Sequence, residues 1–322
     1  MSVAKKYEGI KKVTEKHNLL ELAKSYFFSG TLAYSITSLL LNGFDKSSVE
    51  YSRLGIQNKS CKKMKSKYKK ILNYTEPLDS EVLDGTNTIW FCWLQGVENA
   101  PELVKKCYIQ LVNLFPNKKI VVITAENYEE YTNFPEFIIT KWKMGIITNT
   151  HFSDLLRAEL LYNHGGTWID STVYFSSNNI SKVFFEADLF FFQKLKPGRD
   201  GSRVSMSSWF LTVNKKSLII FKTRELLFSY WEKKNYLVDY YLFHIFFTLS
   251  CEKYQEEFNK VPKYCNSIPH VLLLEFFTEY DSDRFEDIKG MTSIHKLSYK
   301  FSELDLQKES TFYKYLINLE VK

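Results

Sequence analysis

Residues 152–174 read FSDLLRAELLYNHGGTWIDSTVY, and this stretch decides the fold. Ser153 stands where a helix N-cap belongs, Asp154 follows in what would be the first turn, and Leu155, Leu156, Ala158, Leu160 and Leu161 supply an apolar face over Asp154–Tyr162. Asp154 and Arg157, three residues apart, share one side of that helix. Gly165 or Gly166 can take the left-handed conformation that ends a helix, and a strand over Thr167–Phe175 then delivers Asp170 near its end, bordered by Ser171 and Thr172. A carboxylate and a hydroxyl at a strand terminus can hold a hard divalent cation, directly or through water, and such a cation would neutralise a diphosphate leaving group. Taken alone, Asp154 and Arg157 fit a helix-surface ion pair equally well, and Asp170 fits a turn.

Working outward, Thr88–Leu94 (TIWFCWL) is an apolar run expected to form a buried strand, Glu102–Leu114 a helix, and Lys119–Thr124 (KIVVIT) a second strand. Strand, helix and strand in that order define a parallel βαβ unit, hence an α/β fold. Ligands of such sheets bind at the carboxyl ends of the strands, here near Gln95 and Gly96 and just after Thr124.

The N-terminal portion has another texture. Residues 1–80 hold 15 basic and 7 acidic residues, a net +8, while the remainder is close to neutral. A helical pattern runs from Val3 to about Leu41, and Lys59–Lys70 (KSCKKMKSKYKK) contains seven lysines. The run reads as a solvated face or linker, or as a polybasic patch for anionic lipid. No nucleic-acid motif accompanies it, so nucleic acid is not expected as a partner. Ser25–Phe44 is uncharged but rich in Ser, Thr, Gly and Asn, which favours a buried or interfacial helix over a membrane span. We divide the chain into a basic helical region, 1–80, expected to dock on a membrane or acceptor, and an α/β domain, 81–322.

Of the 322 residues, 45% are hydrophobic and 25% charged, which excludes wholesale disorder, collagen-like repeats and a polytopic membrane protein. The 16% aromatic content exceeds what a core strictly needs, and such rings often stack on sugars or bases. Five cysteines without CxxC spacing argue for a reducing compartment and against a zinc site. The first residues mix Lys and Glu and do not read as a signal peptide, so a cytoplasmic location, peripheral on the inner face of the cell membrane, is expected.

The order IWFCWLQG near residue 90, FSDLLRAELLYNHGGTWIDSTVY, VDYYLFHIFF near 240 and SIHKLSYK near 295 resembles bacterial capsular polysaccharide synthesis glycosyltransferases, relatives of the DXD-type sugar-nucleotide transferases. The resemblance covers about Thr88 to Tyr299. It implies a GT-A-type, Rossmann-like mixed sheet flanked by helices. It also implies transfer of a hexose from UDP-galactose or UDP-glucose to a lipid-linked, undecaprenyl-type saccharide in capsular or surface polysaccharide assembly, with retention of configuration. Under it Asp170 looks like the first DXD carboxylate, binding Mn²⁺ or Mg²⁺. Thr172 occupies the second carboxylate's place, which weakens the metal assignment. Asp154 and Arg157 look like the pair that contacts the nucleotide-sugar, His295 like a C-terminal metal ligand, and Lys296 like the group that neutralises the β-phosphate. Asp239 is placed near the acceptor or the anomeric carbon.

Trp93, with Phe91 and Gln95 at the end of the first strand, is a candidate for stacking on or bordering uracil, set against the commoner use of strand-end aromatics as core. His151 and His164, flanking the motif helix, read as structural, and Cys92 as an inert core residue. Two alternatives stay open: an inverting transferase with Asp239 as general base, and a non-catalytic, membrane-docked partner in polysaccharide assembly.

Overall fold

The computed structural model describes residues 26–27, 30–74, 82–195, 204 and 206–319. Most of the helical pattern expected over 3–41 lies outside the described residues.

The expected βαβ unit is present. Strand β1, Thr88–Cys92, pairs in parallel with β2, Lys119–Ile123, and with β3, Gly166–Ile169. Strand β4, Val173–Phe175, leaves this sheet. Strands β5, Leu189–Gln193, and β6, Met206–Val213, extend it in antiparallel fashion from β3, giving the order β2-β1-β3-β6-β5. Strand β7, Ile294–Lys296, pairs with β4 in a separate two-stranded ribbon.

Six helices matter below: α1, Leu32–Asn42; α2, Lys46–Lys67; α3, Glu102–Leu114; α4, Asn149–Asn163; α5, Leu218–Lys233; and α6, Leu242–Lys253. Helix α3 connects β1 to β2 with the bounds read from the sequence; Glu102 in its first turn complements the helix dipole. Helix α4 starts five residues earlier than expected. Thr148 caps it, accepting from the His151 amide, and Ser153 lies inside, its carbonyl accepting from Arg157 Nε. Asp154 is therefore a buried mid-helix carboxylate and not a first-turn residue.

The α4–β3 junction depends on two glycines. Gly165 and Gly166 have φ of +74° and +87°; a Cβ on Gly165 would lie 2.7 Å from the Val213 carbonyl oxygen, and one on Gly166 2.5 Å from that of Thr88. Both the backbone conformation and the close strand approach demand glycine.

The strand expected over Thr167–Phe175 is broken. A turn closed by the Val173 amide donating to the Asp170 carbonyl (3.0 Å) separates β3 from β4. Aromatic side chains are spent mainly on the core: Phe184, Phe190, Phe192, Trp209 and Phe210 pack together on one side of the sheet, where Phe192 stacks on Trp209 with centroids 4.4 Å apart. On the other side Trp168, Tyr230, Trp231 and Phe246 join Cys61, Met64, Tyr68 and Leu72. The lysine run is thus built on a helix whose inner face belongs to the main core, so the described part of 1–80 is packed onto the α/β body.

Candidate active site

Asp170 stands at the carboxyl end of β3, where parallel sheets place their ligands. Its neighbours come from three elements. Trp168, two residues earlier and so on the same side of β3, donates Nε1–H to Asp170 Oδ1 at 2.9 Å. Arg157 reaches the same oxygen from α4, at 3.3 Å. From β7, Lys296 Nζ lies 3.8 Å from Oδ2 and donates to Thr172 Oγ1 at 2.6 Å. The register that brings it there is the β4–β7 pairing of Val173 with Lys296.

Arg157 is buried, and its donors are occupied. It donates to the Ser208 carbonyl at 2.8 Å and to that of Ser153, its NH2 bridges Asp154 and Asp170 at 3.5 and 3.3 Å, and its guanidinium sits 5.0 Å over the Trp168 ring. It is a positioning residue beneath Asp170. Asp154 faces Arg157 on one side and His151 Nδ1 (3.5 Å) on the other, and burial pushes its carboxyl up to about 7, against the pull of Arg157. His151, pushed down to about 4 by burial and then by Arg157, is neutral near pH 7. The groups that keep access to solvent are Asp170 (27%) and Lys296 (18%). Burial lowers the Lys296 ammonium, and Asp170 partly restores it.

Trp93 lies beyond the end of β1, its ring edge-on to Tyr299 at 5.3 Å, and its buried Nε1–H has no partner among the described residues. Gln95 is exposed two residues on. These flank the Asp170 end of the sheet. Phe91 does not: it is fully buried against Tyr108 and cannot stack on a base. Cys92 is half-buried, its thiol pushed up to about 12 by desolvation, which fits an inert residue.

Two further placements differ from expectation. His295 is fully buried, its Nε2 bonded to Ser176 Oγ at 3.0 Å, and it pairs with Tyr174. Successive strand residues face opposite ways, so the backbone that presents Lys296 to Asp170 turns His295 away. Asp239 precedes α6 instead of lying within it. It accepts from the Tyr241 amide at 2.8 Å, and Ser60 and Arg53 of α2 lower a carboxyl that burial raises. It is directed toward the N-terminal helices, whereas its neighbour Tyr240 faces His151, with centroids 6.1 Å apart, and senses Asp154 and Asp170.

Trp168, Ser208 and Tyr299 escaped the sequence reading as site residues. Trp168 was recoverable from the two-residue strand period. Ser208, bonded to His244 at 3.1 Å across 36 residues, carried no local signal.

The donor set does not suit a divalent cation. Among the described residues no group of three or more His, Cys, Asp or Glu side chains could hold a metal ion. Asp170 Oδ1 already takes two donors, Oδ2 faces an ammonium, Thr172 Oγ1 is engaged by that ammonium, and Asp154 is reached only past Arg157. A dication would have to displace one of two cations.

The chain matches the family of capsular polysaccharide synthesis proteins over residues 42–316 and belongs to that family. Among solved structures it is similar to the PaToxG glycosyltransferase, at 15% identity and a TM-score of 0.37, covering 83% of this chain and 96% of that one. No curated protein matches it.

Proposed function

We propose that the protein is a glycosyltransferase of capsular or related surface-polysaccharide assembly. Its donor is a UDP-hexose, UDP-galactose or UDP-glucose; its acceptor is a lipid-linked saccharide, and the product keeps the donor's configuration. The observation that carries the reading is the convergence of Asp170, Lys296 and Thr172 at the carboxyl end of β3, braced from below by Arg157 and bordered by Trp93 and Tyr299. The sheet is read as a GT-A-type arrangement, because the ligand end of its parallel half bears these groups.

In this reading Lys296 faces the diphosphate and offsets the charge that grows as the anomeric carbon–oxygen bond breaks. Asp170, held by Trp168 and Arg157, accepts hydroxyl hydrogens of the donor and fixes its orientation. Trp93 and Tyr299 border the base. The acceptor oxygen attacks the anomeric carbon on the face the diphosphate leaves, UDP departs with the bonding pair, and the acceptor's proton passes to the departing phosphate oxygen. Asp239 is a poor general base here, since its carboxylate is bonded to the Tyr241 amide and directed at α2.

The test is nucleotide release by the purified protein from a panel of UDP- and GDP-sugars, followed by chromatography, with calorimetric titration of UDP. Release from one UDP-hexose, reduced in Asp170→Asn, is expected. Absence of both release and UDP binding would refute the reading.

A further inference from the structure

The α1–α2 hairpin is inverted in polarity. On α1, Ser35 and Ser38 face inward with Thr31 before them, whereas Ile36, Leu40 and Leu41 are 53, 70 and 80% exposed. The seam to α2 is polar: Ser38 and Ser52 hydroxyls meet at 2.8 Å, Asn42 Nδ2 donates to Ser38 Oγ at 3.2 Å, and Ser48 Oγ donates to the Asn42 carbonyl at 2.6 Å. A helix stabilised only by its own core would turn its leucines inward and its serines out.

Beside this face the lysines are ordered. Lys59, Lys63 and Lys67, four apart on α2, form one exposed stripe. Lys59 Nζ lies 4.7 Å over the ring of Tyr34 on α1, and a Cβ at Gly30 would be 3.6 Å from Lys63 Nζ, so the stripe begins alongside α1. Farther on, Lys67 joins Lys233 and Lys234 at the end of α5; burial and these neighbouring ammonium groups push it down to about 8. Lys65 points elsewhere, paired with Glu252 at 2.6 Å. An outward apolar helix flanked by a cation ladder suits a surface that is apolar below and anionic at the head-group level.

We propose that the outer face of α1, with the Lys59–Lys63–Lys67 stripe and Lys233 and Lys234, is a docking surface for an anionic phospholipid bilayer. Helix α1 lies in the interface plane; among the described residues no helix is long and apolar enough to cross a membrane. The inference goes beyond the transferase reading and does not depend on the donor.

The test is co-sedimentation of the full chain with vesicles of phosphatidylcholine, with and without a one-third share of phosphatidylglycerol. Binding to the phosphatidylglycerol vesicles, weakened by salt, is expected. Lys59→Gln/Lys63→Gln/Lys67→Gln should weaken it on the order of 100-fold, at about fivefold per lysine. Leu40→Asn/Leu41→Asn should weaken it by roughly tenfold or more. Thermal melting checks the fold, and nucleotide release in vesicle-free solution should be unchanged in both variants. A fold-intact protein that ignores the vesicles, or binds them equally in both variants, overturns the proposal. So does self-association abolished by Leu40→Asn/Leu41→Asn without vesicle binding, or salt-sensitive RNA binding without it. Vesicle binding by a protein that releases no nucleotide would sustain the docking surface while refuting the transferase reading.

Discussion

Replacing Lys296 by Met tests the site most directly, because it keeps the side-chain stem and removes the charge. The ammonium donates to Thr172 Oγ1 at 2.6 Å and to the Leu297 carbonyl at 3.1 Å, and lies 3.8 Å from Asp170. A departing phosphate seated about 4 Å from Nζ would interact with it by about 4 kcal/mol at the effective dielectric of a partly buried site. The donor phosphate already carries part of its charge in the ground state, so only part of this interaction is gained in the transition state, about 3 kcal/mol, which is roughly 10²–10³ in kcat. The lost hydrogen bonds should cost about 1–2 kcal/mol of stability, well short of unfolding the protein. The assay is the rate of UDP release under saturating UDP-hexose, with the melting temperature measured in parallel. Lys296→Arg restores the charge with a different donor geometry and should recover part of the rate. A folded Lys296→Met protein with kcat within about threefold of wild type would refute the assignment of leaving-group stabilisation to this residue.

Other outcomes follow from the same geometry. Because the carboxylates are already held by Arg157 and Lys296, a chelator should leave UDP release within about twofold, and Mn²⁺ without nucleotide should not move the melting temperature; release abolished by chelator would contradict the donor-set argument. Gly166→Ala, at φ +87° with a Cβ 2.5 Å from the Thr88 carbonyl oxygen, should cost about 2–5 kcal/mol in urea unfolding. Asp239→Asn should leave transfer largely intact; a loss of about 10³ or more, with the fold preserved, would instead favour the inverting reading. Stability should fall on acidification from pH 6.5 to 5. His151, His244 and His295 are held near 4, 3 and 4 in the folded chain but take up protons near 6.5 when unfolded, so together they lose about 5 kcal/mol over that interval. Asp154 works the other way: its folded carboxyl titrates near 7 and its unfolded one near 4, so the folded state holds the extra proton and gains about 2 kcal/mol over the same interval. These four groups together predict a net loss of about 3 kcal/mol, read from urea midpoints; a flat profile would contradict the burial of the histidines.

What could be read from the sequence was local. Strands β1 and β2 and helix α3 follow from apolar runs and acidic starts within a dozen residues, and the structure moves their ends by two residues at most. The start of α4 was misread because Thr148, Thr150 and Ser153 are all competent caps, and only the burial of Phe152 and His151 reveals that the helix has already begun. The break after Asp170 had only the polar triplet Asp170-Ser171-Thr172 as its signal inside an otherwise apolar run, and what divides the run is the pairing of β4 with a strand about 120 residues away. His295 and Lys296 could have been separated beforehand by strand alternation alone: if one faces Asp170, the other cannot.

The charge balance of the site explains why the residue two after Asp170 is a threonine. Asp154 and Asp170 share one guanidinium, and Lys296 supplies the second cation, so the cluster is near neutral before any donor arrives. A carboxylate at position 172 would lie where the Lys296 ammonium now donates to a hydroxyl, and would bind that ammonium as an ion pair. The hydroxyl orients Lys296 without neutralising it, leaving a positive charge for the diphosphate of the proposed donor. Burying Arg157 beneath Asp170 serves the same end: the cation that balances the carboxylates is kept from solvent, and the more accessible one, Lys296, arrives from a separate two-stranded ribbon. The sheet thus fixes the carboxylate, the ribbon fixes the ammonium, and in the proposed transfer the electrostatic contribution would depend on their 3.8 Å separation being set beforehand.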